Sequence, residues 1–152
     1  MLISRTSQYA IQTLIYIAAQ DYTPVLSREA AERLQVPAPY LAKIMQALCK
    51  GGLVNSFRGR LGGFSLGAKP EDITLMQILQ ITEGPGFSKD CLLGLKVCSD
   101  ETACPVHHQW KPIKLEIIDL LNKQTLAILS EAVRSGKYRI SDLPQALLPE
   151  IG

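Results

Sequence analysis

The chain has 152 residues and a mass of 16.7 kDa, the size of one domain or of a domain with a helical extension. Hydrophobic residues make up 47% and charged residues 20%, which excludes a wholly disordered chain; this length buries about two-thirds of its unfolded surface without disulfide staples. No run of 18 apolar residues occurs, which excludes a membrane-spanning helix.

The net charge of +2 is unevenly spread: residues 1–70 hold 8 basic against 3 acidic side chains, and residues 71–152 hold 8 against 11. A basic front half points to an anionic partner for that half alone. Arg5 before an apolar run faintly suggests a signal peptide, but Gln12 and Thr13 interrupt the run and its apolar residues recur at helical spacing. A cytoplasmic protein is expected.

Ala10, Ile11, Leu14, Ile15, Ile17 and Ala18 predict a helix over 7–20, followed by a turn at 21–24. Ser27 is the expected cap of a second, short helix. Pro37 and Pro39 suit the start of a third, which stops at Gly51-Gly52. Two short helices joined by a tight turn outline a helix-turn-helix. Residues 53–57 read as a strand, 58–63 as a glycine-rich turn and 64–66 as a returning strand: a wing tipped by Arg58 and Arg60. Thr74 caps a helix through Glu83, Pro105 is expected to open a long helix to Lys123, and Thr125 caps a last helix to Ser135.

On the third helix Leu41, Ile44, Met45 and Leu48 share one face and must be core. Lys43, Gln46 and Lys50 lie opposite, with Tyr40 to one side near the start. Lysines there meet phosphates, while Gln46 and Tyr40 reach base edges. Arginines on the wing suit the negative potential of a narrow minor groove. Along the long helix, Trp110, Ile113, Ile117 and Leu120 recur 3, 4 and 3 apart, a seam suited to another helix and hence to a homodimer.

Residues 87–104 show no periodicity and hold Cys91, Cys98 and Cys104, with His107 three residues further on. The close knuckles of structural zinc sites are missing. Widely spaced thiols on a loop containing glycine suit a larger body, an iron–sulfur cluster, with His107 the candidate fourth ligand and His108 a competitor. Asp90, Asp100 and Glu101 offer oxygens, but acids on loops are usually solvated. Cys49 flanks the core face of the third helix and is expected to be packed there.

Ser7-Gln8-Tyr9-Ala10, Tyr40-Leu41-Ala42-Lys43-Ile44, Gly51-Gly52-Leu53-Val54, Arg58-Gly59-Arg60-Leu61-Gly62-Gly63-Phe64 and the three-cysteine loop together resemble the Rrf-two family of bacterial regulators over nearly the whole chain. The resemblance implies a homodimeric winged helix-turn-helix regulator whose iron–sulfur cluster controls its DNA binding. Cys104-x-x-His107 before Trp110 is similar to the IscR branch, which implies a [2Fe-2S] cluster on three cysteines and one histidine. Six residues separate the first two cysteines here, where that branch has five, and a [4Fe-4S] cluster as in the NsrR branch is the alternative. That branch uses an N-terminal carboxylate, for which Gln8 is a poor substitute. Ala42 stands where the IscR branch can carry a base-reading glutamate, and the CymR branch is free of the loop cysteines.

The expected fold is mainly α with a small β-hairpin. It comprises a winged helix-turn-helix DNA-binding domain over 1–83, a cysteine-containing cluster loop over 84–104, and a dimerisation helix with a helical tail over 105–152. The expected function is that of a homodimeric transcription regulator rather than an enzyme. It binds double-stranded DNA at a pseudo-palindromic operator and senses redox, nitric oxide or iron–sulfur status. A metal-free thiol repressor, a small iron–sulfur electron carrier and a zinc-stabilised adaptor are the rivals. An electron carrier has no use for an arginine-tipped wing, and a zinc adaptor would be colourless.

Overall fold

In the computed structural model, residues 3–20, 23–60 and 62–141 are described. Part of the expected turn at 21–24, Leu61 of the wing and residues 142–152 lie outside them. The elements are α1 (Arg5–Ala18), α2 (Ser27–Leu34), α3 (Ala38–Lys50), β1 (Val54–Phe57), β2 (Gly63–Leu66), α4 (Leu75–Thr82), α5 (His107–Lys123) and α6 (Leu126–Arg134), with short 3-10 turns at Pro70–Asp72 and Phe87–Lys89. Among the described residues, six helices and one antiparallel hairpin make up the fold class expected from the sequence.

Local chemistry explains most of the boundaries. Ser4 caps α1 by accepting from the Ser7 amide. Thr74 and Gln77 form a reciprocal capping box on α4, and Thr125 caps α6 through the Ile128 amide. Pro39 sits in the first turn of α3, where its missing N–H costs nothing, and Gly51 ends that helix. Two expectations are corrected. Ser27 is the first residue of α2 rather than its cap: Leu26 holds that place and offers no side-chain acceptor. The long helix opens at His107, not Pro105, because residues 104–107 close a tight turn in which the His107 amide donates to the Cys104 carbonyl at 3.0 Å. Pro112 falls inside α5, with no N–H for the preceding turn.

Leu14, Leu41, Leu48, Ile73, Ile78 and Leu126 are fully buried and join α1, α3, α4 and α6 in one core. The core runs across residue 83: the Leu126 amide donates to the Ile73 carbonyl, and the Leu75 amide to that of Gln124. A satellite cluster of Met76, Leu79 and Leu121 seats α5 on α4, with Ile117 and Ile118 against it. The hairpin pairs Val54 with Leu66 and Phe57 with Gly63. Val25, just before α2, pairs with Phe64 through two backbone hydrogen bonds of 2.8 and 2.7 Å. This one-residue third strand ties the wing to the helix-turn-helix.

Gly63 makes that tie possible. Its φ is +133°, and a Cβ there would lie 2.7 Å from the Val25 carbonyl oxygen. Gly59 has φ +99° but open space around it. Backbone strain costs about 1–3 kcal/mol at such positions. Gly63→Ala is therefore expected to lose about 3 kcal/mol in urea unfolding, and Gly59→Ala about 1 kcal/mol, the difference being the clash with Val25. Equal destabilisation by the two substitutions would show that the approach to Val25 contributes nothing.

Candidate DNA interface and cysteine loop

The amphipathic pattern of α3 places its two faces as periodicity requires. Leu41, Ile44, Met45 and Leu48 are buried against the core, while Lys43, Gln46 and Lys50 are exposed. Arg58 and Arg60 are exposed on the wing, which follows α3 after the Gly51-Gly52 turn. Tyr40 is exposed as well, while its hydroxyl hydrogen-bonds the Thr6 hydroxyl and its ring meets that of Tyr9 edge-on, 5.7 Å between centroids. Position 40 thus fastens the start of α3 to α1. Cys49 packs on the core as expected, and burial pushes its thiol pKa up.

The N-terminus of α1 is gripped from the end of α4. The Glu83 carboxylate accepts from the Ser4 amide at 2.6 Å and from the buried Ser7 hydroxyl, and the Thr82 hydroxyl lies 2.6 Å from that of Ser7. Burial opposes charge on Glu83, but the hydrogen bonds from Ser7 and Ser4 outweigh it and hold the carboxyl below its usual range. A carboxylate at the N-terminus of α1 also meets the positive end of the helix dipole. Residue 83 is where the chain leaves α4 for the cysteine loop, so the loop's anchor and the N-terminus of α1 are one polar joint.

The three loop cysteines and His107 at the start of α5 fall into two pairs. The sulfurs of Cys91 and Cys104 are 3.8 Å apart, and the Cys98 sulfur lies 3.7 Å from His107 Nδ1. Among the described residues no three His, Cys, Asp or Glu side chains are grouped to hold a single metal ion. The Leu93 amide donates to the Cys91 sulfur at 3.4 Å, and this bond is the first cause of a lowered Cys91 thiol pKa. His107 is only 2% exposed. Its Nε2 lies 2.8 Å from the Asp100 carboxylate, which Lys111 grips through both oxygens at 2.9 and 2.8 Å. The Lys111 ammonium first, and then His107, pull the Asp100 carboxyl pKa down to about 2. His108 is exposed, with its ring edge-on to that of His107. Asp90 accepts from Lys114 through its backbone carbonyl.

The apolar seam on α5 divides. Ile117 packs on the satellite cluster, whereas Ile113 and Leu120 are 51% and 53% exposed. Trp110 is half-buried and lines a cleft with Glu83, Phe87, Cys91 and Lys114. Its indole N–H is buried there and finds no acceptor among the described residues. The Asp100 clamp is the feature that sequence reasoning misses. Its signal in the chain is His107 and Lys111 one helical turn apart with an acid just upstream.

Among the described residues no helix is long and apolar enough to cross a membrane. A family model described as an iron-dependent transcriptional regulator, Rrf2, matches residues 3–132. A protein of Aquifex aeolicus, named by inference as an HTH-type transcriptional regulator, is 36% identical over 143 residues, 93% of this chain and 99% of its own. The HTH-type transcriptional regulator IscR of Vibrio atlanticus is 29% identical over 130 residues, 85% of this chain and 75% of its own. Among solved structures, CymR, the global cysteine regulator of B. subtilis, matches with a TM-score of 0.73 at 26% identity, covering 86% of this chain and 96% of its own. IscR of T. potens matches with a TM-score of 0.72 at 28% identity, covering 90% and 91%. The helix-turn-helix, the wing tied to it and the match over residues 3–132 lead to one assignment: the chain belongs to the Rrf2 family of DNA-binding transcription regulators, and is not an enzyme.

Proposed function

We propose that the protein is a homodimeric regulator whose affinity for a pseudo-palindromic operator is set by an iron–sulfur cluster held on Cys91, Cys98, Cys104 and His107. The observation that carries this reading is the pairing of the donors. Bonds of about 2.3 Å to thiolate and about 2.0–2.1 Å to imidazole at a tetrahedral metal put neighbouring donors about 3.5–3.8 Å apart. Cys91 with Cys104, at 3.8 Å, and Cys98 with His107, at 3.7 Å, both stand near that spacing. Two such pairs, with no group of three among the described residues, suit a two-metal body better than one zinc ion. They also suit [2Fe-2S] better than [4Fe-4S], in which each iron takes one protein donor. The Trp110 N–H, buried without a partner among the described residues, lines the same cleft as Cys91.

When bound, such a cluster supplies a redox-active and degradable group. The chain supplies the response. The loop starts at Glu83, Glu83 holds the N-terminus of α1, and Thr6 and Tyr9 of α1 hold Tyr40 at the start of α3. Whatever orders the loop in one conformation shifts DNA affinity only by its differential affinity for the two; a ten-thousand-fold switch needs about 5.5 kcal/mol. The exposed part of the α5 seam, Ile113 and Leu120, supports a helix-to-helix dimer that sets two recognition helices on neighbouring half-sites.

Protein purified without oxygen is expected to be reddish-brown, to hold about two iron and two sulfide per chain, to sediment as a dimer, and to change its operator affinity when the cluster is removed. A second reading is favoured by one observation, the lowered Cys91 thiol at 3.8 Å from Cys104. In it an organic hydroperoxide oxidises the two thiols to a disulfide and is itself reduced to an alcohol and water. Colourless protein whose DNA binding follows that disulfide would establish this reading in place of the cluster.

A further inference from the structure

We infer that Asp100 is the positioning residue of the loop: it holds His107 in the tautomer that carries its proton on Nε2 and leaves the Nδ1 lone pair facing Cys98. This deepens the cluster reading proposed above and rests on it for the metal, though not for the tautomer.

A neutral imidazole carries one N–H and one lone pair, and the partner of one nitrogen decides the state of the other. The Asp100 oxygen 2.8 Å from Nε2 is an acceptor, so Nε2 is the donor. Nδ1, 3.7 Å from the Cys98 sulfur, is then the nitrogen free to ligate. Metal-binding histidines commonly give their other N–H to a carboxylate, which fixes the ring and raises its basicity. His107 is buried and unable to turn to water for a substitute partner.

The carboxylate is itself held in place. Lys111 grips both oxygens of Asp100 and lies one helical turn beyond His107 on α5. The acid therefore spans two neighbouring positions on a single helix face and pins residue 100 of the loop to it. Asp100 is 64% exposed, which is generous for an ion pair and leaves little for the folded core to gain from it. Its place is explained by His107.

Three substitutions separate the roles. Asp100→Ala removes the acceptor, Asp100→Asn keeps an oxygen without the charge, and Lys111→Met frees the carboxylate while leaving it present. In metal-free protein, nitrogen chemical shifts of His107 read the tautomer directly. The parent and Asp100→Asn should show Nε2–H, whereas Asp100→Ala should show a mixture of the two forms. In cluster-loaded protein, Asp100→Ala should shorten the lifetime of the visible absorbance about 10–100-fold and change the nitrogen hyperfine coupling of the reduced cluster. Asp100→Asn and Lys111→Met should change the lifetime by only a few-fold. Parent tautomer and parent cluster lifetime in Asp100→Ala would overturn the proposal. Parent protein without iron would sink the cluster reading instead, and the tautomer measurement alone would then decide for or against Asp100.

Discussion

Replacement of Cys91, Cys98 or Cys104 by serine is expected to strip the protein of iron and of visible colour. Serine keeps the size of the side chain but loses the soft, easily ionised sulfur, and the pair to which that cysteine belongs keeps only one member. Retention should fall at least about a hundredfold, beyond what the loss of an outer partner costs. His107→Ala should keep a cluster with an altered spectrum and a shorter life, because an imidazole is the weakest of the four donors to an anionic cluster. His108→Ala should behave like the parent, since its ring is exposed and only leans on that of His107. Iron analysis and absorbance of protein made without oxygen check all five variants. Thermal unfolding of the metal-free forms controls for Cys91, which is buried. Parent iron and spectrum in all three serine variants would remove the loop from metal binding.

Arg58→Ala and Arg60→Ala are each expected to weaken operator binding about tenfold, the worth of a hydrogen bond to a charged group. Each should lower the slope of log affinity against log salt by about 0.9, because one phosphate is no longer neutralised by the protein. Both side chains are exposed at the wing tip, and the Val25–Phe64 tie holds that wing against α2. Lys43→Ala and Lys50→Ala should weaken binding to all DNA alike, because lysines on phosphates carry no base information. Gln46→Ala should instead flatten the preference among operator variants, since Gln46 is exposed on the same helix face and its amide can pair with a base edge. Tyr40→Phe removes the hydroxyl that meets Thr6, and so separates its hold on α1 from any role it has at the DNA. Fluorescence anisotropy over a salt series resolves these effects; unchanged affinity and slope in both arginine variants would take the wing out of DNA binding.

Sequence patterns were legible wherever a few neighbouring residues decide the outcome among themselves. The inward face of α3 follows from the spacing of Leu41, Ile44, Met45 and Leu48. The starts of α4 and α6 follow from Thr74 and Thr125, because a hydroxyl reaches amides only two or three residues on. The same rule misplaces the cap of α2. Ser27 has the right chemistry, but Val25 is held in a strand pairing with Phe64, and the helix that follows takes Leu26 as its cap and Ser27 as its first residue. Pro105 misleads similarly: it suits a first helical turn, yet the turn at 104–107 delays α5 to His107.

The basic front half and the arginines on a glycine hairpin were readable from the chain alone and pointed to a winged helix-turn-helix that binds DNA, while the family came from a resemblance carried by these residues together with the Ser7, Tyr40 and Gly51 segments and the three-cysteine loop. Periodicity, capping and charge are local properties, written within one or two turns of chain. Tertiary structure decided the rest. It set Cys91 beside Cys104 and Cys98 beside His107, placed Asp100 between His107 and Lys111, joined Glu83 to Ser4 and Ser7, and divided the α5 seam between a core face and an exposed one. The physical reason is sequence separation: Glu83 meets Ser4 across 79 residues and Cys91 meets Cys104 across 13. Meetings of that kind form only once the core has fixed where each helix ends, and no local pattern records them.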